Sequence, residues 1–207
     1  MVPGPWPDRE APRRLSSVLL FFFVALAPLN GACAGEVRRE GTALVFTGSV
    51  MPGDEVQFQR KAAEGPVARV SFNSPGGSIG VAWAIARMIR SLNATTLVDG
   101  GKSICYSACT LMFVGGVARH YFNADGRVDG INAGSPYGLG YHEASRFNDI
   151  GQREASSQGN DAMARAYEEF GVPRAGQLVR KAVSSQIYMV SGVTALSLGI
   201  ATSLNRP

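Results

Sequence analysis

Val67-Ala-Arg-Val-Ser-Phe-Asn73 runs straight into Ser74-Pro75-Gly76-Gly77-Ser78 and then into Ile79 to Leu92. The first stretch alternates and is rich in β-branched residues, which predicts a strand. Pro75 removes a backbone donor and the two glycines accept backbone angles closed to other residues, so the strand must stop there. Ser78 stands at the N-cap of a helix whose Ala82, Ile85, Met88 and Ile89 share one face. Strand, glycine turn and helix follow one another without a spacer.

The same order returns downstream. Thr95-Thr-Leu-Val98 reads as a strand, Gly100-Gly101 as a turn, Ser107 to Val114 as the start of an apolar helix, and Arg119-His-Tyr-Phe122 as a further strand. Upstream, Thr42 to Gly48 reads as a strand and Asp54 to Ala63 as a short helix. This alternation predicts an α/β fold with parallel strands. Asn123 to Gly138, rich in Gly, Asn and Asp, reads as a surface loop, and Leu139-Gly-Tyr-His142 as a short strand. Arg146 to Asn160 is polar and suits a mobile lid or an interaction segment. Helices are expected over Asp161 to Phe170 and Ala175 to Ser185, with a final turn and strand over Thr194 to Thr202.

The N-terminus has a different character. Arg9, Arg13 and Arg14 precede an apolar run from Leu15 to Leu29, and Ala32-Cys33-Ala34 fits a small-x-small cleavage site. The run, about fifteen residues, is short for a bilayer span of about twenty. A secretory signal peptide over residues 1–34 and a single domain over 35–207 are expected, in a periplasmic or secreted protein. An uncleaved membrane anchor and lipidation at Cys33 are the alternatives, the latter with Asn30 where a lipobox places Leu. Residues 1–34 account for one unit of the +4 net charge. No Lys/Arg run follows, so nucleic acid is not an implied partner. Cys105 and Cys109 remain after cleavage, an even number in an oxidising compartment. They stand either as a disulfide across Ser107 or as two buried thiols. A C-x-x-x-C pair with no histidine nearby offers two metal ligands at most, so no metal is expected, and no cofactor.

Ser107 lies where a strand gives way to a helix, and the chain has only two histidines, His120 and His142. A serine hydroxyl needs a base to become a nucleophile, and the oxyanion it creates needs fixed donors. The amide of Ala108 can point at that oxyanion. Gly77, at the matching end of the preceding unit, offers a second amide with no β-carbon to crowd the substrate carbonyl. Ser107 as a plain helix cap, His142 as a strand histidine, and Gly76-Gly77 as a plain turn are the bland readings. Tyr106 and Tyr141 read as packing. His120 is a weaker base candidate, and Lys102 and Lys181 raise a Ser-Lys dyad.

The chain resembles the Clp-type serine peptidase and crotonase (ClpP/crotonase) superfamily, and within it the small exported ClpP-like proteins of bacteria. The resemblance covers about Gly41 to Thr202. It rests on Asn73-Ser-Pro-Gly-Gly-Ser78, Cys105-Tyr-Ser-Ala-Cys-Thr110, Leu139-Gly-Tyr-His142 and Ala195-Leu-Ser-Leu-Gly-Ile200. It implies repeated β-β-α units with a helical extension, Ser107 as nucleophile, His142 as general base, and the amides of Gly77 and Ala108 as the oxyanion hole. Relatives with this fold form rings or trimers through that extension, so a homo-oligomer is implied. The substrate implied is a peptide or unfolded protein, since no ATP-driven unfoldase works outside the cytoplasm. Two departures stand out. Ser107 and His142 are separated by more residues than in the cytosolic enzymes, and Ala182 falls where the third triad member, an aspartate, is expected. Ser184, Ser185, Asp149, Asp161 or a backbone carbonyl would have to orient His142 instead. A catalytically inactive binding or assembly module is therefore the second reading. Crotonase-like chemistry on an acyl-CoA is the third, disfavoured by export.

Overall fold

The structure is a computed structural model that describes Met1, Gly4 and residues 34–207. The expected signal segment, Cys33 included, lies outside the described residues. Residues 34–207 form one compact unit. In chain order it holds β1 (Glu36–Glu40), β2 (Ala43–Thr47), α1 (Asp54–Ala63), β3 (Arg69–Asn73), α2 (Ile79–Ser91), β4 (Thr95–Asp99) and β5 (Ile104–Tyr106). Then come α3 (Ala108–Val114), β6 (Arg119–Phe122), β7 (Gly130–Ile131), β8 (Gly138–Tyr141), β9 (Ser145–Phe147) and β10 (Arg153–Ala155). The chain closes with α4 (Ser157–Glu169), a 3-10 turn at Pro173–Leu178, β11 (Tyr188–Val190) and α5 (Gly192–Ser197).

Two sheets carry the fold. One has the order β1-β2-β3-β4-β6, with β1 antiparallel and the others parallel. The other has the order β5-β8-β11-β7, with β5 and β8 parallel. In β3, Val70 and Phe72 point into the core while Arg69 and Asn73 point out, which is the alternation the sequence carries. The Ser78 side chain accepts from the Val81 N–H, and α2 buries Val81, Ala82, Ile85, Ala86 and Ile89. Every residue of α3 is buried, as a helix apolar on all sides must be. Leu111, Met112, Phe113 and Val114 are each worth about 2 kcal/mol of burial. The C-terminal segment covers the β6 edge: Tyr121 N–H donates to Ser203 O at 3.0 Å, and His120 bridges to Ser203.

The structure departs from the sequence expectation in four places. The 123–138 loop contains β7. The polar 146–160 segment is the β9–β10 hairpin followed by the first turn of α4, which Ser156 caps by accepting from Gly159 N–H. No α-helix covers 175–185. The chain makes the short 3-10 turn, and its onward path sets Ala182 O against the Glu143 N–H at 2.9 Å. The final strand is Tyr188–Val190, and the β-branched Val193-Thr194 belongs to α5. There Ser191 caps the helix by accepting from Thr194 N–H, and Asp129 accepts from Ser191 N–H and Thr194 Oγ1. No helix among the described residues is long and apolar enough to cross a membrane.

Candidate active site

Three segments meet at one end of the second sheet. The glycine loop is laced on both sides. Ser74 N–H donates to Ile104 O and Tyr106 N–H to Ser74 O, while Val50 N–H donates to Gly76 O and Ser78 N–H to Val50 O. This pattern uses the groups on either side of Gly77 and leaves the Gly77 N–H without a partner among the described residues. The buried Ser74 side chain accepts from Gly76 N–H at 3.1 Å and sets the turn. The backbone of Gly77 adopts φ 145°, and a β-carbon there would collide with the Val50 backbone. The glycine is therefore required by contact with Val50, not by room for a substrate carbonyl.

Ser107 joins β5 to α3 with φ 52° and ψ −125°, a conformation that costs a non-glycine residue about 1–3 kcal/mol. Its side chain makes no cap bond to the helix, so helix capping does not explain the serine. Several bonds hold its backbone. Its N–H donates to Gly140 O at 2.9 Å, and its carbonyl accepts from Thr110 N at 2.9 Å and Thr110 Oγ1 at 2.5 Å. Thr110 Oγ1 lies 2.6 Å from the hydroxyl of the buried Tyr167 on α4. Burial pushes the Tyr167 phenol up, so it stays protonated. Cys105 and Cys109 are joined by a disulfide around this turn. The Ala108 N–H makes no hydrogen bond among the described residues. Sequence reading missed Thr110 and Tyr167. Thr110 stands inside the quoted motif, whereas nothing in the sequence links Tyr167 to it.

β5 and β8 run side by side with Tyr106 opposite Gly140, and His142 lies just past the same end of β8. The His142 ring is half-buried, and its Nδ1 is 2.7 Å from the backbone oxygen of Glu143. A carbonyl only accepts, so Nδ1 carries the proton and Nε2 keeps its lone pair. No hydrogen bond joins Ser107 Oγ to His142 among the described residues; such bonds often tighten only when substrate arrives. The other candidates are engaged elsewhere. His120 Nδ1 contacts Asn205 O at 2.7 Å on the sheet edge. Lys102 sits 3.9 Å from Asp99 on the surface, Lys181 is exposed, and Asp161 pairs with Arg180. Tyr141 is buried with its ring centroid 6.2 Å from that of Tyr167.

Burial pushes the His142 imidazole below its ordinary 6.5; the Glu143 carbonyl opposes this shift and Arg153 adds to it. The imidazole therefore stays neutral into mildly acidic solution. Reaction of Ser107 with an acylating or phosphonylating probe should be level near neutral pH and fall in acid with a midpoint below 6.5. A midpoint above it in a pH–rate profile would contradict the assignment. The unfolded chain takes up this proton first as pH drops, so the fold loses the same stabilisation as pH falls from about 6.5 through the folded value.

Tyr106 packs against one side of a cavity. This cavity, of about 290 Å³, is lined by Tyr106, Pro136, Ile187 and Met189 with Asn132, Gly134 and Ser135. Tyr106, Gly140, Met189 and Gly130 form one row across the sheet. A β-carbon on Gly140 would meet the Ile187 side chain and, at 2.5 Å, the Tyr106 ring, so the glycine sets a floor between those two side chains. A larger cavity, about 670 Å³, lies along β2, β3 and β4; neither cavity is lined by Ser107 or His142, and the smaller one adjoins the Ser107 turn through Tyr106. No group of three or more His, Cys, Asp or Glu able to hold a metal ion occurs among the described residues.

No family model matches the sequence, and no curated protein matches it. Solved structures do. The chain is similar to the 1510-N membrane-bound stomatin-specific protease in a mutant form, with a TM-score of 0.53 and 13% identity over 80% of this chain and 78% of that one. A second mutant of that protease, in complex with a substrate peptide, gives 0.52 and 13% over 80% and 74%. A probable enoyl-CoA hydratase from Mycobacterium tuberculosis gives 0.44 and 11% over 84% and 75%. At such identity the likeness speaks for architecture. The chain has an α/β fold like that of the stomatin-specific protease.

Proposed function

We propose that this chain is an exported serine hydrolase, a peptidase that works through an acyl-enzyme on Ser107. The observation that carries the reading is the Ser107 backbone, held at φ 52° between a strand and a helix by bonds on both sides and without a capping role for the side chain. His142 Nε2 takes the Ser107 proton as Oγ attacks the substrate carbonyl. The Gly77 and Ala108 amides receive the oxyanion. The protonated imidazole then delivers its proton to the leaving amine, and water, activated by the same nitrogen, releases the acyl group. Glu143 O takes the orienting part of an aspartate by fixing the tautomer. The likeness to a stomatin-specific protease supports the choice of a peptidase. Substrates are short or unfolded peptides outside the cytoplasm, the working form is a homo-oligomer, and membrane attachment arises only if the N-terminal segment stays uncleaved.

The test is to treat the full, oxidised chain with a fluorophosphonate and locate the adduct by peptide mass spectrometry. An adduct on Ser107 is expected. A folded protein that remains unmodified would favour the second reading, a binding module, for which the buried Ala182 beside Glu143 is the supporting observation.

The cavity beside Tyr106 has no charged lining residue, and the Asn132 side-chain oxygen already accepts from the Ile187 N–H. Paired fluorogenic peptides differing only in the residue on the acyl side of the scissile bond should separate by about tenfold or more in kcat/KM, with Leu above Lys. Equal rates for the two would remove this cavity from the site.

A further inference from the structure

The disulfide joins residues four apart in sequence, so Tyr106, Ser107 and Ala108 all lie within the ring it closes. Both cysteines are fully buried. On the strand side, Ser107 is also held by Gly140 O, and its carbonyl by Thr110. The Ala108 N–H is unpartnered among the described residues, but it shares one peptide plane with the Ser107 carbonyl that Thr110 holds. The direction of that amide is therefore set by Ser107 ψ, which the Thr110 bonds and the anchored Cys109 fix together. Without the disulfide, only the Gly140 and Thr110 bonds oppose relaxation of Ser107 toward an ordinary strand or helix geometry, and the Ala108 N–H turns with it.

We infer that Cys105 and Cys109 are positioning residues, whose disulfide aims the Ser107 hydroxyl and the Ala108 amide and whose reduction switches the site off. The inference rests on Ser107 as the nucleophile. A dithiol reductant supplies the chemistry. One thiolate attacks a cysteine sulfur to give a mixed disulfide, and the second closes a cyclic disulfide on the reductant. Two electrons and two protons pass to Cys105 and Cys109. Burial slows this exchange, so the bond persists in an oxidising compartment and yields when the turn opens.

The experiment compares the full chain oxidised, reduced with dithiothreitol, reoxidised, and as the Cys105→Ala/Cys109→Ala variant. Fluorophosphonate labelling should lose at least about tenfold in limiting rate in the reduced and variant forms and recover on reoxidation. The acid limb should stay in place, because His142 lies outside the ring the disulfide closes. Hydrogen exchange should show lost protection at the Ser107 and Thr110 amides, with Leu44 and Phe46 unchanged. If the variant fails to fold, the reduced wild type provides the same comparison. Unchanged labelling in a folded reduced or variant protein, or unchanged Ser107 protection, would overturn the inference. If the oxidised wild type does not label at all, the nucleophile reading has failed. Exchange at Ser107 then decides the positioning role alone: lost protection sustains it, and unchanged protection ends it.

Discussion

Replacing His142 with alanine should slow fluorophosphonate modification of Ser107 by about 10²–10⁴-fold, the range a positioned general base contributes. The fold should survive, because the ring's one hydrogen bond among the described residues is to the backbone of its own neighbour, Glu143. His120→Ala, run beside it, should leave the rate unchanged, since that imidazole is bound to Asn205 O at the sheet edge. A folded His142→Ala protein that labels at the wild-type rate would remove the base from the scheme. The size of the effect also bears on Ala182. An aspartate behind a catalytic histidine fixes its tautomer, its orientation and the charge of the imidazolium. Glu143 O serves the first two and carries no full charge for the third. Ala182 is buried with its carbonyl bound to the Glu143 N–H, so the backbone around the base is held although the carboxylate is missing. A slower base in the correct tautomer is the expected consequence, and His142 is then still worth removing.

Long periodic segments were readable because each carries its own signal. β3 shows Val70 and Phe72 alternating with outward residues, and α2 shows Ser78 followed by an apolar face. The short pieces were not. β5 is three residues, too few for alternation to register, and β7 is two. The final turn and strand expected from Thr194 onward gave way to a helix, because the Ser191 cap and the Asp129 contacts that hold Thr194 there are tertiary facts. The site divides in the same way. Ser107, Gly77 and His142 announce themselves by residue type and place. The partner of His142 is a backbone oxygen, which no sequence letter encodes, and the walls of the apolar cavity come from three separate stretches brought together only by the β5-β8-β11 pairing.

Gly76→Ala should damage stability and reactivity together, more than any change to the surface. The residue sits at φ 90°, where a side chain is strained by about 1–2 kcal/mol. Its β-carbon would lie 2.5 Å from Tyr106 O, 2.9 Å from Ser107 Cβ and 3.0 Å from Ala108 N. None of these is the far end of a flexible side chain. They belong to the Ser107 turn, tied to Gly140 and closed by the disulfide. Overpacking against backbone adds about 1–3 kcal/mol. A combined loss of about 3 kcal/mol corresponds to a melting temperature lower by about 10 °C in a domain of this size. Gly77→Ala supplies the contrast, because its β-carbon would strike Val50 on the other side of the loop. Comparable melting losses are expected from both substitutions. At a temperature where each variant is still folded, labelling of Ser107 should fall in both, in Gly76→Ala through the Ser107 turn and in Gly77→Ala through displacement of its own amide. Gly76→Ala melting within about 2 °C of the wild type and labelling normally would mean that the glycine loop does not pack against the Ser107 turn, and the oxyanion geometry would lose its second wall.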